Sequence, residues 1–177
     1  MQNILVVGPC GAGKSTLATQ LAELLQLELI HLDAHYWQPG WVESPKVEWH
    51  RTVDQLLQKN GWVMDGNYKG TLAKRLQVAD TVIFLDFPRW RCLWGVMNRL
   101  VRYVGRTRPD MAPDCPERFN WAFMQYVWNF QTQYRPIVVD LLDQASDTVQ
   151  VIIMRSPKEV TAFLESLQSV GHLHLAG

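Results

Sequence analysis

Residues Gly8-Pro9-Cys10-Gly11-Ala12-Gly13-Lys14-Ser15 stand directly after the apolar run Ile4 to Val7 and directly before a helical stretch that begins at Lys14. The spacing is GxxxxGK[ST], and it constrains the chain more than any other feature, because it requires a strand on one side and a helix on the other. Glycine is needed where backbone N–H groups close around a polyphosphate, and the helix that follows turns its positive end toward the same anion. Gly8 to Thr16 is therefore expected to cradle the phosphates of a nucleotide, with Lys14 reaching the β- and γ-phosphates and Ser15 holding Mg²⁺. The motif alone does not separate a kinase from an ATPase or a GTPase. The chain has no NKxD-type guanine signal, which favours ATP.

Further apolar runs bounded by turn signals lie at Leu27 to Leu32, Trp62 to Met64, Thr81 to Leu85 and Val149 to Met154, making five buried strands with the first. Between them the pattern predicts helices at Lys14 to Gln26, Pro45 to Lys59 (Ser44 as N-cap), Gly70 to Gln77 and Pro88 to Val104. A longer helical region, Arg118 to Ala145, is interrupted at Pro136, and a last helix follows Ser156 and Pro157. Such βαβ alternation predicts a three-layer α/β domain spanning residues 1–177, with a parallel sheet covered by helices on both faces. Residues 105–118 carry Pro and Gly without apolar periodicity, and are expected to form a lid or insert.

Composition narrows the function. In 177 residues Lys+Arg and Asp+Glu are both 17, so the net charge is zero and the basic excess of a dedicated DNA-coating protein is missing. Charged residues are only 19% and apolar residues 47%, which excludes a disordered chain. Cys10, Cys92 and Cys115 are odd in number and far apart, matching neither a disulfide framework nor a CxxC clamp, so a reducing cytoplasmic setting is expected. No window reaches the length of a membrane span. His172 and His174 lie on a small-residue tail without a carboxylate or Cys beside them, and are read as a solvated end.

In open parallel sheets ligands collect outside the carboxyl ends of the strands. Asp33, Asp65 and Asp86 are the acids expected there. Asp33 could orient an acceptor hydroxyl or take its proton. Asp65 and Asp86 both end apolar strands in the manner of an Mg²⁺-linked carboxylate, and periodicity does not rank them. Tyr36, Trp37 and Trp41 follow Asp33 immediately; they either stack on a planar acceptor or pack with Trp49 on the next helix.

Six arginines and no acid occupy residues 88–108. At about 100° per residue, with Arg91 as origin, Arg99, Arg102 and Arg106 fall near 80°, 20° and 60°. Trp90, Leu93, Trp94, Met97, Leu100, Val101 and Val104 fill the opposite arc. The arginine face is expected to edge the lid and close over a transferring phosphoryl group, with Arg118 and Arg135 as further candidates. The helical spacings of Trp90 with Trp94 and of Trp121 with Trp128 predict that these four are core.

Taken together, GPCGAGKST, LDAHYWQPGW, WVMDGNY, LDFPRWRCLW, GRTRPDM and CPERF resemble the adenylate-kinase-related P-loop proteins, and more closely the small bacterial proteins labelled "topology modulation protein". The resemblance spans nearly all of residues 3–165. It implies a five-stranded parallel sheet of order 2-3-1-4-5, favours Asp65 over Asp86 as the metal-linked carboxylate, and implies that Ser156-Pro157-Lys158-Glu159 lies near the adenine. The Phe-Pro-Arg that follows Asp-Gly in adenylate kinases is replaced here by Asn67-Tyr68-Lys69, which leaves the acceptor open.

The expected function is ATP- and Mg²⁺-dependent phosphoryl transfer to a small acceptor such as a nucleoside, a nucleotide or another hydroxyl metabolite. Lys14, Asp33, Asp65, Arg99, Arg102 and Arg106 are the candidate catalytic residues, Ser15 and Asp65 the metal ligands, and Asp33, Tyr36 and Trp37 the acceptor contacts. The alternative is an ATP-binding regulator that acts on DNA with little turnover.

Overall fold

The computed structural model describes residues 1–145 and 147–174, with side chains up to 169; the side chains of His172 and His174 lie outside the described set. In chain order the elements are β1 (Asn3–Val7), α1 (Lys14–Leu25), β2 (Glu28–His31), α2 (Leu32–Tyr36), β3 (Trp37–Gln38), β4 (Val42–Glu43), α3 (Lys46–Leu57), β5 (Trp62–Asp65) and α4 (Lys69–Leu76). They continue with β6 (Thr81–Leu85), α5 (Arg89–Tyr103), α6 (Trp121–Asn129), a π-helical turn (Phe130–Tyr134), α7 (Arg135–Ala145), β7 (Gln150–Met154) and α8 (Pro157–His174).

The main sheet is parallel, in the order β2-β5-β1-β6-β7. The chain inserts an antiparallel hairpin, β3-β4, where the sequence pattern showed no strand, so the strand numbers run higher than the expected 2-3-1-4-5. β1 is flanked by the strands at 62–65 and 81–85. Because β1, β5 and β6 are covered on both faces, they are apolar at nearly every position. Alternate residues serve opposite faces. Leu5, Val7, Met64, Val82 and Phe84 pack toward α3, α4 and α7, while Ile4, Val6, Val63, Ile83 and Leu85 pack toward α1, α5, α6 and α8.

Three expectations are corrected. The helix after the lid starts at Trp121 rather than Arg118, because the Asn120 side chain accepts the Phe123 N–H and caps it. Pro136 does not break the helical region: the π-helical turn just before it, closed by the Arg135 N–H on the Phe130 carbonyl, absorbs the residue that lacks a donor. Finally, Trp90, Trp94, Trp121 and Trp128 are exposed, and the buried tryptophans are Trp49 and Trp62. Among the described residues no helix is long and apolar enough to cross a membrane.

Candidate active site

Between β1 and α1 the backbone turns through left-handed conformations at Gly11 (φ 83°) and Gly13 (φ 92°). A Cβ on Gly11 would lie 2.1 Å from the Cys92 carbonyl oxygen, and one on Gly95 would lie 2.2 Å from the Gly11 carbonyl oxygen, so the loop is pressed backbone-to-backbone against α5. At Gly13 the same construction meets nothing within 4 Å. That open concavity at the start of α1, where no side chain caps the helix, presents free N–H groups to an anion. Lys14 is half-buried and its Nζ donates to the Pro9 carbonyl at 3.1 Å. The Gly8 N–H donates to Asn67 Oδ1 at 3.1 Å, tying the loop to the end of β5.

The loop lies between two clefts. One, of about 420 Å³, is lined by Ala12, Gly13, Thr16, Phe87, Arg91 and the start of α8 at Pro157. The other, of about 630 Å³, brings Cys10, Lys14, Asp33, Trp37, Trp41, Asn67 and Tyr68 together with Arg99, Arg108 and Arg118 from the lid side and Phe123, Tyr126, Phe130 and Tyr134 from the helices.

Asp33 sits in the first turn of α2, immediately after β2. Its carboxylate accepts the Tyr68 hydroxyl at 2.6 Å. Burial, with a smaller push from the Asp65 charge, raises its pKa above the ordinary carboxylate value, against the opposing Tyr68 hydrogen bond and the charges of Lys14 and Arg108. Burial and the adjacent Asp33 also raise the Tyr68 hydroxyl far out of the titrating range, so it stays a donor. Tyr68 itself is held at a φ of 32°.

Asp65 ends β5 opposite Val6 of the phosphate-loop strand, is buried, and places Oδ1 2.7 Å from His31 Nδ1. Burial alone would lower His31. The Asp65 hydrogen bond and the charges of Asp65, Asp110 and Asp33 overcome this and raise it. Asp86 directly follows β6, with both carboxylate oxygens taken by Arg135, at 2.8 and 2.7 Å. Arg135 is thus committed to Asp86 and lines neither cleft.

The arginine face is less uniform than its periodicity predicts. Arg99 donates from Nε (3.1 Å) and Nη2 (2.9 Å) to Glu117, which also pairs with Arg108 at 2.9 Å, while Arg108 reaches Asp110 at 2.6 Å. Arg99 therefore lines the larger cleft as a neutralised pair. Arg102 and Arg106 are exposed and line neither cleft, which corrects their placement over the transferring group. The reason is that the segment 105–118 folds back on itself, with Val104 pairing Glu117 and Thr107 pairing Pro116. Its tip, Met111, Ala112 and Cys115, is buried against Trp37 and Trp41. The Trp41 indole N–H donates to the Pro116 carbonyl at 3.0 Å.

Trp37 lines the larger cleft, but Tyr36 does not. Its ring packs against Trp37, Trp49 and Tyr68, and its hydroxyl donates to Glu43 at 3.0 Å. The sequence pattern did not single out the roles of Asn67, Tyr68, His31 and Glu117, nor that of Arg75, a fully buried guanidinium that donates to the carbonyls of Gly66 (3.0 Å), Asn67 and Tyr68 (3.3 Å). Asn67 and Tyr68 lie within the WVMDGNY stretch. Arg75 carried no signal, being one of three basic residues on a short helix of mixed polarity.

No family model matches the chain. It is similar to the shikimate kinase of Histophilus somni (strain 2336), 34% identical over 100 residues that cover 48% of this chain and 57% of that protein. It is also similar to shikimate kinase 1 of Yersinia enterocolitica, 31% identical over 133 residues, 66% of this chain and 73% of the relative. The match thus spans little more than half of the first relative's length. Among solved structures, shikimate kinase from Acinetobacter baumannii in complex with shikimate aligns with a TM-score of 0.60 at 19% identity, covering 99% of this chain and 94% of the other. A gluconokinase from Sinorhizobium meliloti 1021 aligns with a TM-score of 0.52 at 14% identity, covering 98% and 97%. Both share the α/β fold.

Proposed function

The chain belongs to the shikimate kinase family of P-loop small-molecule kinases, and from that premise we propose that it transfers the γ-phosphoryl group of ATP to a hydroxyl of a small acceptor held in the larger cleft. The observation that carries this is the meeting of Lys14 and Asp33 on one cavity wall, at the edge of an open anion cradle. Lys14 holds the phosphates. Asp33 takes the hydroxyl proton as the acceptor oxygen bonds to phosphorus and ADP leaves with the bridging oxygen, while Tyr68 keeps the carboxylate aimed. Trp37 and Trp41 bound the acceptor and exclude water on the lid side.

Ser15 and Asp65 are the groups that would hold Mg²⁺, which when bound supplies positive charge to the phosphate oxygens. Among the described residues no three His, Cys, Asp or Glu gather as a ready metal cage. Of the two strand-end acids, Asp65 suits the task better, with one oxygen on His31 where Asp86 has both on Arg135; neither lines a cleft, so Asp65 would act through a bound water. The smaller cleft, beside Pro157 and Arg91, suits the adenine.

An ATP-consumption screen over hydroxy acids (shikimate first), sugar acids, nucleosides and nucleotides, with Lys14→Ala as control, tests the proposal. Acceptor-dependent ADP release that the control lacks supports it. A second reading, a nucleotide-binding regulator of DNA, rests on the exposed cations Arg102 and Arg106. Salt-sensitive duplex binding with no turnover on any acceptor would replace the kinase by that regulator.

A further inference from the structure

On the outer side of α5, Trp90, Trp94, Met97, Val101 and Val104 recur at spacings of four, three, four and three, which puts them on one stripe. They are between 40% and 76% exposed. The opposite side of the helix is fixed: Cys92 and Val96 are buried and Gly95 abuts the phosphate loop. The stripe is therefore a rigid surface, and isolated apolar residues on a surface are ordinary whereas an aligned run of this size is not.

The order of sizes along the stripe identifies what fits it. The bulky residues are at its N-terminal half and the small β-branched ones at its C-terminal half, placed almost symmetrically about Met97. Turned end for end, a second stripe sets Trp90 against Val104, Trp94 against Val101 and Met97 against itself, large against small in every layer. A parallel copy would set tryptophan on tryptophan and valine on valine. Weighted by their exposure, the five side chains offer roughly 300–500 Å² of apolar area, taking about 150–250 Å² for an aromatic side chain and about 60–120 Å² for Val or Met. Apolar atoms make up about 60% of a stable interface of ~800 Å² per partner, so the stripe supplies most of that apolar share. Asn98, next to the centre, gives the seam a polar flank near the axis, and the arginines border it without entering it.

We propose that α5 pairs antiparallel with α5 of a second copy of this chain, about a two-fold axis at Met97, forming a homodimer with both clefts facing away from the seam's apolar stripe. An anionic lipid surface would also meet tryptophan beside arginine, but it would not select the large-to-small order.

Sedimentation of the full chain at micromolar loading tests this. The wild type and Val47→Asp, an exposed apolar position on α3, should sediment as two chains. Trp94→Asp and Val101→Arg, with unchanged circular dichroism, should sediment as one, the dissociation constant rising by more than about 100-fold because symmetry removes the anchor twice. Under mild oxidation Met97→Cys should crosslink far more than Val101→Cys, with the wild type as the blank for native thiols. A monomeric wild type, a dimer indifferent to both stripe variants, or equal crosslinking at 97 and 101 overturns the proposal. Pelleting of a monomeric wild type with phosphatidylserine vesicles overturns it in favour of lipid.

Discussion

Replacing Arg75 by Met tests how the acceptor loop is held in place. The guanidinium is fully buried, and burial pushes its pKa down to about 9 against the opposing charge of Asp65. Its hydrogen bonds go to the carbonyls of Gly66, Asn67 and Tyr68, so the partner of this charge is a stretch of backbone. That stretch carries Asn67, which accepts the Gly8 N–H, and Tyr68, which donates to Asp33. One buried side chain thereby fixes groups on both the phosphate and the acceptor sides.

Met preserves most of the apolar stem, so the principal loss is hydrogen bonding, with about 1–3 kcal/mol for each carbonyl left dry. Removing a buried charge offsets part of this. A net loss of about 2–4 kcal/mol is expected, which for a domain of this length lowers Tm by about 5–15 °C. Turnover on the acceptor found in the screen should fall about 100-fold, the scale of a roughly 1 Å misplacement of reacting groups. ATP affinity should fall much less, because Lys14 and the glycine loop remain. Arg75→Lys should recover part of the Tm but little turnover, since an ammonium cannot span three carbonyls as a planar fork does. Thermal unfolding and steady-state kinetics on the three proteins decide the matter. Unchanged turnover in Arg75→Met, whatever its Tm, would show that the loop holds its own shape.

Lys14→Ala should abolish measurable ATP binding by calorimetry, and retained affinity would remove the cradle from the site. Asp33 has a raised pKa, so its ionised, proton-accepting form builds up only above the ordinary carboxylate range. The acidic limb of the kcat profile should lie above that range and vanish in Asp33→Asn. By linkage the folded chain holds this proton more tightly than the unfolded one, so the contribution of Asp33 to stability declines as pH rises through its folded value. His31 follows the same sign: its stabilisation is complete below 6.5 and fades as pH rises through its higher folded value. His31→Gln should flatten that part of the stability–pH curve, measured by denaturant titration, and an unchanged slope counts against the His31–Asp65 pair. Gly11→Ala drives a methyl into the Cys92 carbonyl and should cost about 2 kcal/mol or more. Gly13→Ala strains the backbone by about 1–2 kcal/mol and is expected to weaken ATP binding more than folding. Equal effects of the two on Tm and on affinity would refute the distinction.

The sheet and the phosphate loop were legible because they depend on local patterns. A run such as Val82-Ile83-Phe84-Leu85 has one stable fate in a domain of this composition, and GxxxxGK[ST] ties a strand to a helix. Asp33 reads in the sequence as the end of a strand, whereas it stands in the first turn of α2, two residues beyond β2. What could not be read was pairing across distance. The pattern that ends two apolar runs in Asp65 and Asp86 does not show that Arg135, 49 residues away, takes both oxygens of Asp86. The arginine face looked unopposed until the lid brought Glu117 back to Arg99 and Arg108. Neutrality of the whole chain was thus no guide in either direction, because the compensating acid lies outside the helix that carries the charge.

The tryptophans of α5 show a further limit, and its cause bears on the site. Helical spacing says that residues share a face, not which face is inward. In α5 the inward face is made of small residues, Cys92, Gly95 and Val96, because it must approach the backbone of the phosphate loop so closely that neither Gly11 nor Gly95 has room for a Cβ. A helix that leans this near to a loop cannot place tryptophan there. Bulk is therefore displaced to the outer arc, where the periodicity remains apolar but faces away from the core. The same constraint that holds Gly11 in its left-handed turn, and so shapes the anion cradle, also leaves Trp90 and Trp94 on the surface. Smallness on one face of the helix next to a phosphate loop is thus the better sequence guide to its inward side than hydrophobicity on the other.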